Sequence, residues 1–258
     1  MELYRSKDIY ADFYENEGKP LAVIMSGSVP GLPTHISDDL SNYLKQNFNV
    51  LILAYYGIGE LPKSLEMVPL EYFINAINFI KEKQNIPDDK VIIIGQSKGG
   101  EAALVLTNYI KSAITIATVP SSYVFQGLPE DIFSIYKVQP KASWSFNNKE
   151  LPYIKFTFDE AIMNYAKNKN FCKCHEISIE KNFNPDALIN VDNYKGKILL
   201  ISSENDSYWP SKNMCETLIK NSKNKNNIKH VSLNLEDHCF LWYEESVREI
   251  ISYLNVNV

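Results

Sequence analysis

The chain has 258 residues, 45% hydrophobic and 22% charged, with a formal charge of −5. That length can bury a full core as one α/β domain, and the composition is that of an ordinary globular protein. The negative balance gives no general attraction for nucleic acid or an anionic membrane, and no run approaches the roughly 18 apolar residues of a spanning helix.

Residues 1–8 lack an apolar run and carry early acidic charge, so a secretory signal is not expected. The four cysteines, Cys172, Cys174, Cys215 and Cys239, do not have zinc-finger spacing. Free thiols and a cytoplasmic location are therefore the expectation. Cys239 draws attention because it follows His238.

Leu21–Met25 predicts a buried strand that runs into Ser26-Gly27-Ser28-Val29-Pro30-Gly31. Residues 36–47 can form a helix, and Val50–Tyr55 a second strand. From Glu71 to Ile80, Phe73, Ala76, Ile77 and Ile80 recur at helical spacing, and Tyr72 and Phe79 widen the stripe. A strand over 91–94, a helix over about 98–111 and a strand over 112–117 follow. This alternation indicates an α/β fold: a mostly parallel sheet covered by helices on both faces.

The rhythm breaks after the strand over 112–117. Residues 119–191 are rich in Pro, Gly, Asn and aromatics, with one helix expected near Phe158–Lys167. The stretch is too long for a connection and too aromatic for disorder. An insertion over the C-terminal end of the sheet, forming a cap or pocket wall within one domain over 1–258, accounts for it. Order returns with a strand over Lys197–Ser202, a helix from about Ser211, a strand over His230–Leu235 and a helix near Glu244–Leu254. The lysines between 220 and 229, interspersed with asparagine, read as a solvated turn.

The most informative segment is Gly95-Gln96-Ser97-Lys98-Gly99, between a strand and a helix. A G-x-S-x-G in that context is a nucleophile elbow, whose tight turn makes the serine hydroxyl project. A serine needs a base to take its proton. His238 follows the last core strand and can reach Ser97, whereas His35, His175 and His230 read as surface or structural. A carboxylate should orient the imidazole. Asp206 follows the strand 197–202 at the same end of the sheet, with Glu204 and Asp192 as fallbacks. Asp237 adjoins His238 too closely for triad geometry. The order Ser97, Asp206, His238 is that of an α/β-hydrolase.

Backbone N–H groups of Lys98 and of Ser28, or Val29 in its place, are expected to form the oxyanion hole. The Lys98 side chain points outward or pairs with Glu101, three residues along the helix. Tyr55, Tyr56, Trp209 and aromatics of the 120–160 stretch are candidate pocket walls, with core packing the alternative reading for most of them. No metal or cofactor is called for.

Three further stretches carry a family likeness. Ala54-Tyr-Tyr-Gly-Ile-Gly-Glu-Leu-Pro-Lys63, Pro69-Leu-Glu-Tyr-Phe73 and Ser97-Lys-Gly-Gly-Glu101 resemble the catalytic domain of acyl-CoA thioesterases and bile acid-CoA:amino acid N-acyltransferases. Asp206 with Trp209 three residues on is similar to the family's acid loop, and Glu236-Asp-His238 to its histidine loop. The resemblance implies the same triad and a small-molecule acyl thioester substrate, hydrolysed through an acyl-enzyme. It departs in two places. About 20 residues precede the first core strand, so the animal enzymes' immunoglobulin-like domain is expected to be missing. The histidine loop also has Asp237 where relatives carry glycine. Serine rather than the acyltransferases' cysteine favours hydrolysis. The alternative is a carboxylesterase or dienelactone-hydrolase-like enzyme acting on small oxygen esters; a serine peptidase or a non-catalytic binding module ranks lower.

Overall fold

The computed structural model describes residues 1–238 and 240–258, leaving Cys239 outside the described residues. In chain order the first elements are β1 (Glu2–Arg5), β2 (Tyr10–Tyr14), β3 (Leu21–Met25), α1 (Asp38–Asn47), β4 (Asn49–Ala54), β5 (Val68–Pro69), α2 (Leu70–Gln84), β6 (Val91–Gln96), α3 (Lys98–Leu106) and β7 (Ile114–Thr118). Then come β8 (Trp144–Phe146), β9 (Lys149–Glu150), α4 (Glu160–Lys167), α5 (Phe171–Lys181), β10 (Lys197–Ser203), α6 (Ser211–Asn221), β11 (Ile228–Leu233) and α7 (Glu244–Asn257).

Eight strands form one sheet in the order β1-β2-β4-β3-β6-β7-β10-β11. From β4 to β11 every pairing is parallel, while β1 and β2 run antiparallel at one edge. Every residue of β3 and β7 is buried, as expected of strands covered on both faces. Alternate side chains enter opposite cores. Val23, Leu51 and Ile93 pack with α2, α3 and α6, while Ala22, Ile92, Ile94 and Ile116 pack with α1 and α7. This mixed, mostly parallel, doubly covered sheet is the α/β-hydrolase fold.

Several boundaries differ from the sequence reading for local reasons. The helix expected to reach 111 ends at Leu106, where Thr107 Oγ1 donates to the Leu104 carbonyl at 2.6 Å and Asn108 Nδ2 to that of Val105. Side chains here take carbonyls that would otherwise continue the helix. The last strand begins at Ile228, two residues earlier than expected, and the β1–β2 hairpin adds an edge that the sequence reading lacks. Within 119–191 the expected helix is present as α4, and α5 joins it. Asn170 caps α5 by accepting from Lys173 N at 3.1 Å. A small sheet, β5-β8-β9, ties this segment back to the start of α2.

No helix among the described residues is long and apolar enough to cross a membrane.

Candidate active site

β6 delivers the chain to Ser97, which takes φ 56° and ψ −119° before α3 begins at Lys98. A positive φ at a serine is uncommon and costs energy, so the surroundings must hold it. Two glycines make that turn possible. A Cβ on Gly95 would lie 2.1 Å from the Gly99 carbonyl oxygen, and one on Gly99 would lie 2.1 Å from that of Ser26. Strand, helix and the loop after β3 therefore meet backbone to backbone. Ser97 N donates to Thr118 O at 2.9 Å, which anchors the elbow to the end of β7.

The loops after β10 and β11 bring Asp206 and His238 to the same rim. His238 Nε2 lies 2.7 Å from Ser97 Oγ, and its Nδ1 lies 2.9 Å from both carboxylate oxygens of Asp206. All three residues are buried. A carboxylate only accepts, so Nδ1 carries the proton and Nε2 presents its lone pair to the serine hydroxyl. Asp206 is itself fixed, because Oδ1 accepts from the N–H groups of Tyr208 (2.9 Å) and Trp209 (3.3 Å). The rings of Tyr208 and Trp209 lie 5.0 and 5.2 Å from the His238 imidazole and limit its rotation.

The other acids stand elsewhere. Glu204 pairs with Lys212 at 2.9 Å, and Asp192 accepts from Lys223 N at 2.7 Å. Asp237 accepts from the backbone N–H of His238 and from the Tyr243 hydroxyl, so it shapes the histidine loop and does not touch the imidazole nitrogens. His230 hydrogen bonds with Ser202 at 2.8 Å. The cysteine that follows His238 lies outside the described residues.

The loop after β3 presses on the nucleophile: a Cβ on Gly27 would sit 2.9 Å from Ser97 Cβ. The N–H groups of Ser28 and Lys98 have no acceptor among the described residues. Both residues line the same cavity as Ser97, with Lys98 N at the start of α3, where helix N–H groups are unpaired. Tyr55 and Tyr56, expected as pocket walls, do not line this cavity. The single Tyr55 hydroxyl proton is shared between the carbonyls of Ser26 (2.8 Å) and Gly27 (2.6 Å), and Tyr56 Oη donates to that of Ser28. Burial raises both phenol pKa values and keeps them protonated as donors. The aromatic rings read from sequence as substrate contacts instead brace the loop from behind.

The Lys98 side chain turns inward to Glu101, with Nζ 3.0 and 2.9 Å from its two oxygens and 2.8 Å from Ser143 Oγ. Glu101 Oε1 also accepts from Phe125 N (3.2 Å) and Trp144 Nε1 (2.8 Å). This pair fastens the first turn of α3 to the 119–191 segment.

A cavity of about 450 Å³ opens over the triad. Trp209 lines it as expected, joined by Leu128, Ile132, Phe156, Phe171 and His175 from the 119–191 segment. The His175 imidazole is enclosed edge-on by Phe125, Phe156 and Trp209, with Nδ1 2.8 Å from Phe171 O. Burial pushes its pKa down to about 4, with Lys98 adding repulsion, so it is neutral near pH 7. Pro33, Thr34, His35, Gln96 and Leu241 also line the cavity. Phe156 is one of the aromatics of 120–160 expected as walls, whereas Phe171, Tyr208 and Gln96 are not foreseen from the sequence and His35 and His175 read there as surface or structural. Only the position of Tyr208 within the acid loop could have signalled its place.

A family model described as BAAT / acyl-CoA thioester hydrolase C terminal matches residues 68–239. The chain belongs to this family. In this BAAT/thioester hydrolase domain the match takes in Ser97, Asp206 and His238 but begins after the Ser28 loop. Curated relatives include a mouse mitochondrial acyl-coenzyme A thioesterase 2, 38% identical over 74 residues (29% of this chain, 16% of the relative). A rat acyl-coenzyme A amino acid N-acyltransferase 2 is 26% identical over 193 residues, covering 75% of this chain and 42% of the relative. The chain thus spans less than half the length of these curated relatives. Among solved structures, an esterase of Pyrococcus furiosus superposes with a TM-score of 0.62 at 13% identity, covering 98% of this chain and 90% of that one. A monoacylglycerol lipase of Paleococcus ferrophilus gives 0.56 at 15% identity, covering 97% and 99%. At such identities the superpositions speak for the α/β-hydrolase fold alone.

Proposed function

We propose that this domain is a serine hydrolase of carboxylic esters that works through an acyl-enzyme. The observation carrying the proposal is the continuous hydrogen-bonded line from Ser97 Oγ through His238 to Asp206, at 2.7 and 2.9 Å. His238 Nε2 takes the Ser97 proton as Oγ attacks the ester carbonyl, while Asp206 stabilises the imidazolium. The N–H groups of Ser28 and Lys98 receive the developing oxyanion. His238 then gives its proton to the departing alcohol, leaving an ester on Ser97. In the second half a water loses a proton to Nε2 and attacks the acyl carbon, releasing the acid and restoring Ser97.

The aromatic end of the cavity suits an apolar acyl group, with the 119–191 segment as its wall. The leaving group is proposed to be neutral. Among the described lining residues the only lysine is Lys98, which is committed to Glu101. A cation free to hold phosphates is therefore missing from the described lining, and that favours oxygen esters over acyl-CoA. The second reading, acyl-CoA thioester hydrolysis, is supported by the family match and by the relatives' names.

A fluorophosphonate probe tests the mechanism. Wild-type protein should be labelled and Ser97→Ala should not, with both folded by circular dichroism. An unlabelled, folded wild type would overturn the proposal. Matched butyryl oxygen esters and butyryl-CoA then separate the readings: higher kcat/KM on the thioester would favour the second.

A further inference from the structure

We infer that Gln96 is a leaving-group subsite, its side-chain amide donating to a second oxygen carried by the departing alcohol. This rests on the serine-hydrolase reading and deepens it. Gln96 Oε1 accepts from the backbone N–H groups of Phe240 at 2.8 Å and Leu241 at 3.0 Å, two and three residues beyond His238. An amide oxygen alone can accept from two N–H groups, so the orientation of the amide is set by chemistry. Its nitrogen must then point the other way.

That nitrogen has no acceptor among the described residues, yet it is not one of the buried polar atoms lacking a partner. The nitrogen is therefore accessible, and Gln96 lines the cavity over Ser97. Nothing about the elbow turn demands such a group. A neighbour of the nucleophile, held rigidly with an accessible donor, is built like a recognition group.

The side of the cavity follows from His238. The alcohol oxygen must lie near Nε2 to be protonated on departure. Gln96 is bonded to the segment that carries His238, and the residues around it form their own group. Leu241 O accepts from Ser37 N at 2.9 Å, and the Trp242 ring meets His35 at 4.9 Å, which draws Pro33–His35 to this end. The aromatic cluster of Phe125, Phe156 and Trp209 packs as a group of its own, meets the imidazole through the Trp209 ring at 5.2 Å, and is assigned the acyl group. The favoured substrates are accordingly esters of neutral alcohols with an ether or hydroxyl oxygen close to the ester bond.

The test compares 2-methoxyethyl butyrate with n-butyl butyrate, which differ by one oxygen for one methylene, on wild type and Gln96→Glu. The introduced carboxylate would keep an acceptor for both backbone N–H groups but remove the donor, and leaving-group acidity is common to both enzymes. The methoxyethyl-to-butyl ratio of kcat/KM should be about three- to tenfold higher in wild type than in the variant, the worth of one neutral hydrogen bond. Equal ratios in two folded, active enzymes would overturn the inference while leaving the hydrolase reading intact. A wild type that cleaves neither ester and takes no fluorophosphonate would instead fell the hydrolase reading. Gln96→Leu gives a second check: it should lower the ratio and also kcat on both esters, because the histidine loop loses its anchor.

Discussion

Lys98 and Glu101 form a closed ion pair one turn beyond the nucleophile, with side-chain exposures of 3% and 0%. Burial alone would push the lysine pKa down and the carboxyl pKa up, each toward neutrality. Five donor contacts oppose this: Lys98 reaches both carboxylate oxygens and Ser143, while Phe125 N and Trp144 Nε1 also donate to Glu101. These contacts hold the two side chains as one buried unit, and its members cannot be removed singly without cost.

Glu101→Ala should destabilise the fold by about 3–5 kcal/mol, because it strands a buried ammonium and two N–H donors. Urea denaturation measures this directly. The double change Lys98→Met with Glu101→Gln should recover more than half of the loss, since the glutamine oxygen can still accept from Phe125 and Trp144. A loss below about 1 kcal/mol in Glu101→Ala would mean the pair is not charged in the folded protein.

Tyr55→Phe probes the support of the oxyanion loop. The ring contacts with Phe73 at 5.3 Å and Trp144 at 5.7 Å survive the change, so packing is conserved. Lost are the bonds to the carbonyls of Ser26 and Gly27, immediately before Ser28. Misplacing a donor that acts on the transition state lowers kcat more than it alters KM. A fall in kcat of about 10-fold or more is expected, on the scale of one buried hydrogen bond. Unchanged kcat in steady-state assays would show that the loop holds its position without Tyr55.

How far the sequence reveals this arrangement depends on the range of the interaction. The elbow is a property of five consecutive residues, and the steric need for Gly95 and Gly99 is visible in their spacing. The choice of Asp206 and His238 follows from parallel strands ending at one rim, and the structure does bring both to Ser97. Tyr55 and Tyr56 read wrongly as pocket walls because a hydroxyl reaching back 28 or 29 residues leaves no periodic trace. Gln96 escapes notice for the same reason, its partners being 144 and 145 residues away. The β1–β2 hairpin is an edge element with several part-exposed positions, so its apolar signal is weak. Helix α5 fully buries only Ser178, which leaves it without an apolar stripe to read.

His175 predicts an acid-linked loss of stability. Its folded pKa of about 4 lies below the usual 6.5, chiefly through burial and then through repulsion from Lys98. Between those values the unfolded chain binds a proton that the folded one refuses, so folding weakens as pH falls from about 6.5 to 4 and no further below. A gap of that size corresponds to about 3 kcal/mol. Replacing His175 with glutamine removes the titration while keeping a neutral polar side chain. Unfolding free energies of wild type and His175→Gln, measured by urea at several pH values, should differ most in slope across that window. The wild type should lose about 3 kcal/mol relative to the variant between about pH 7 and pH 4. Parallel curves would show that the imidazole can charge in place, with water or a shifted carbonyl reaching it inside the aromatic cage.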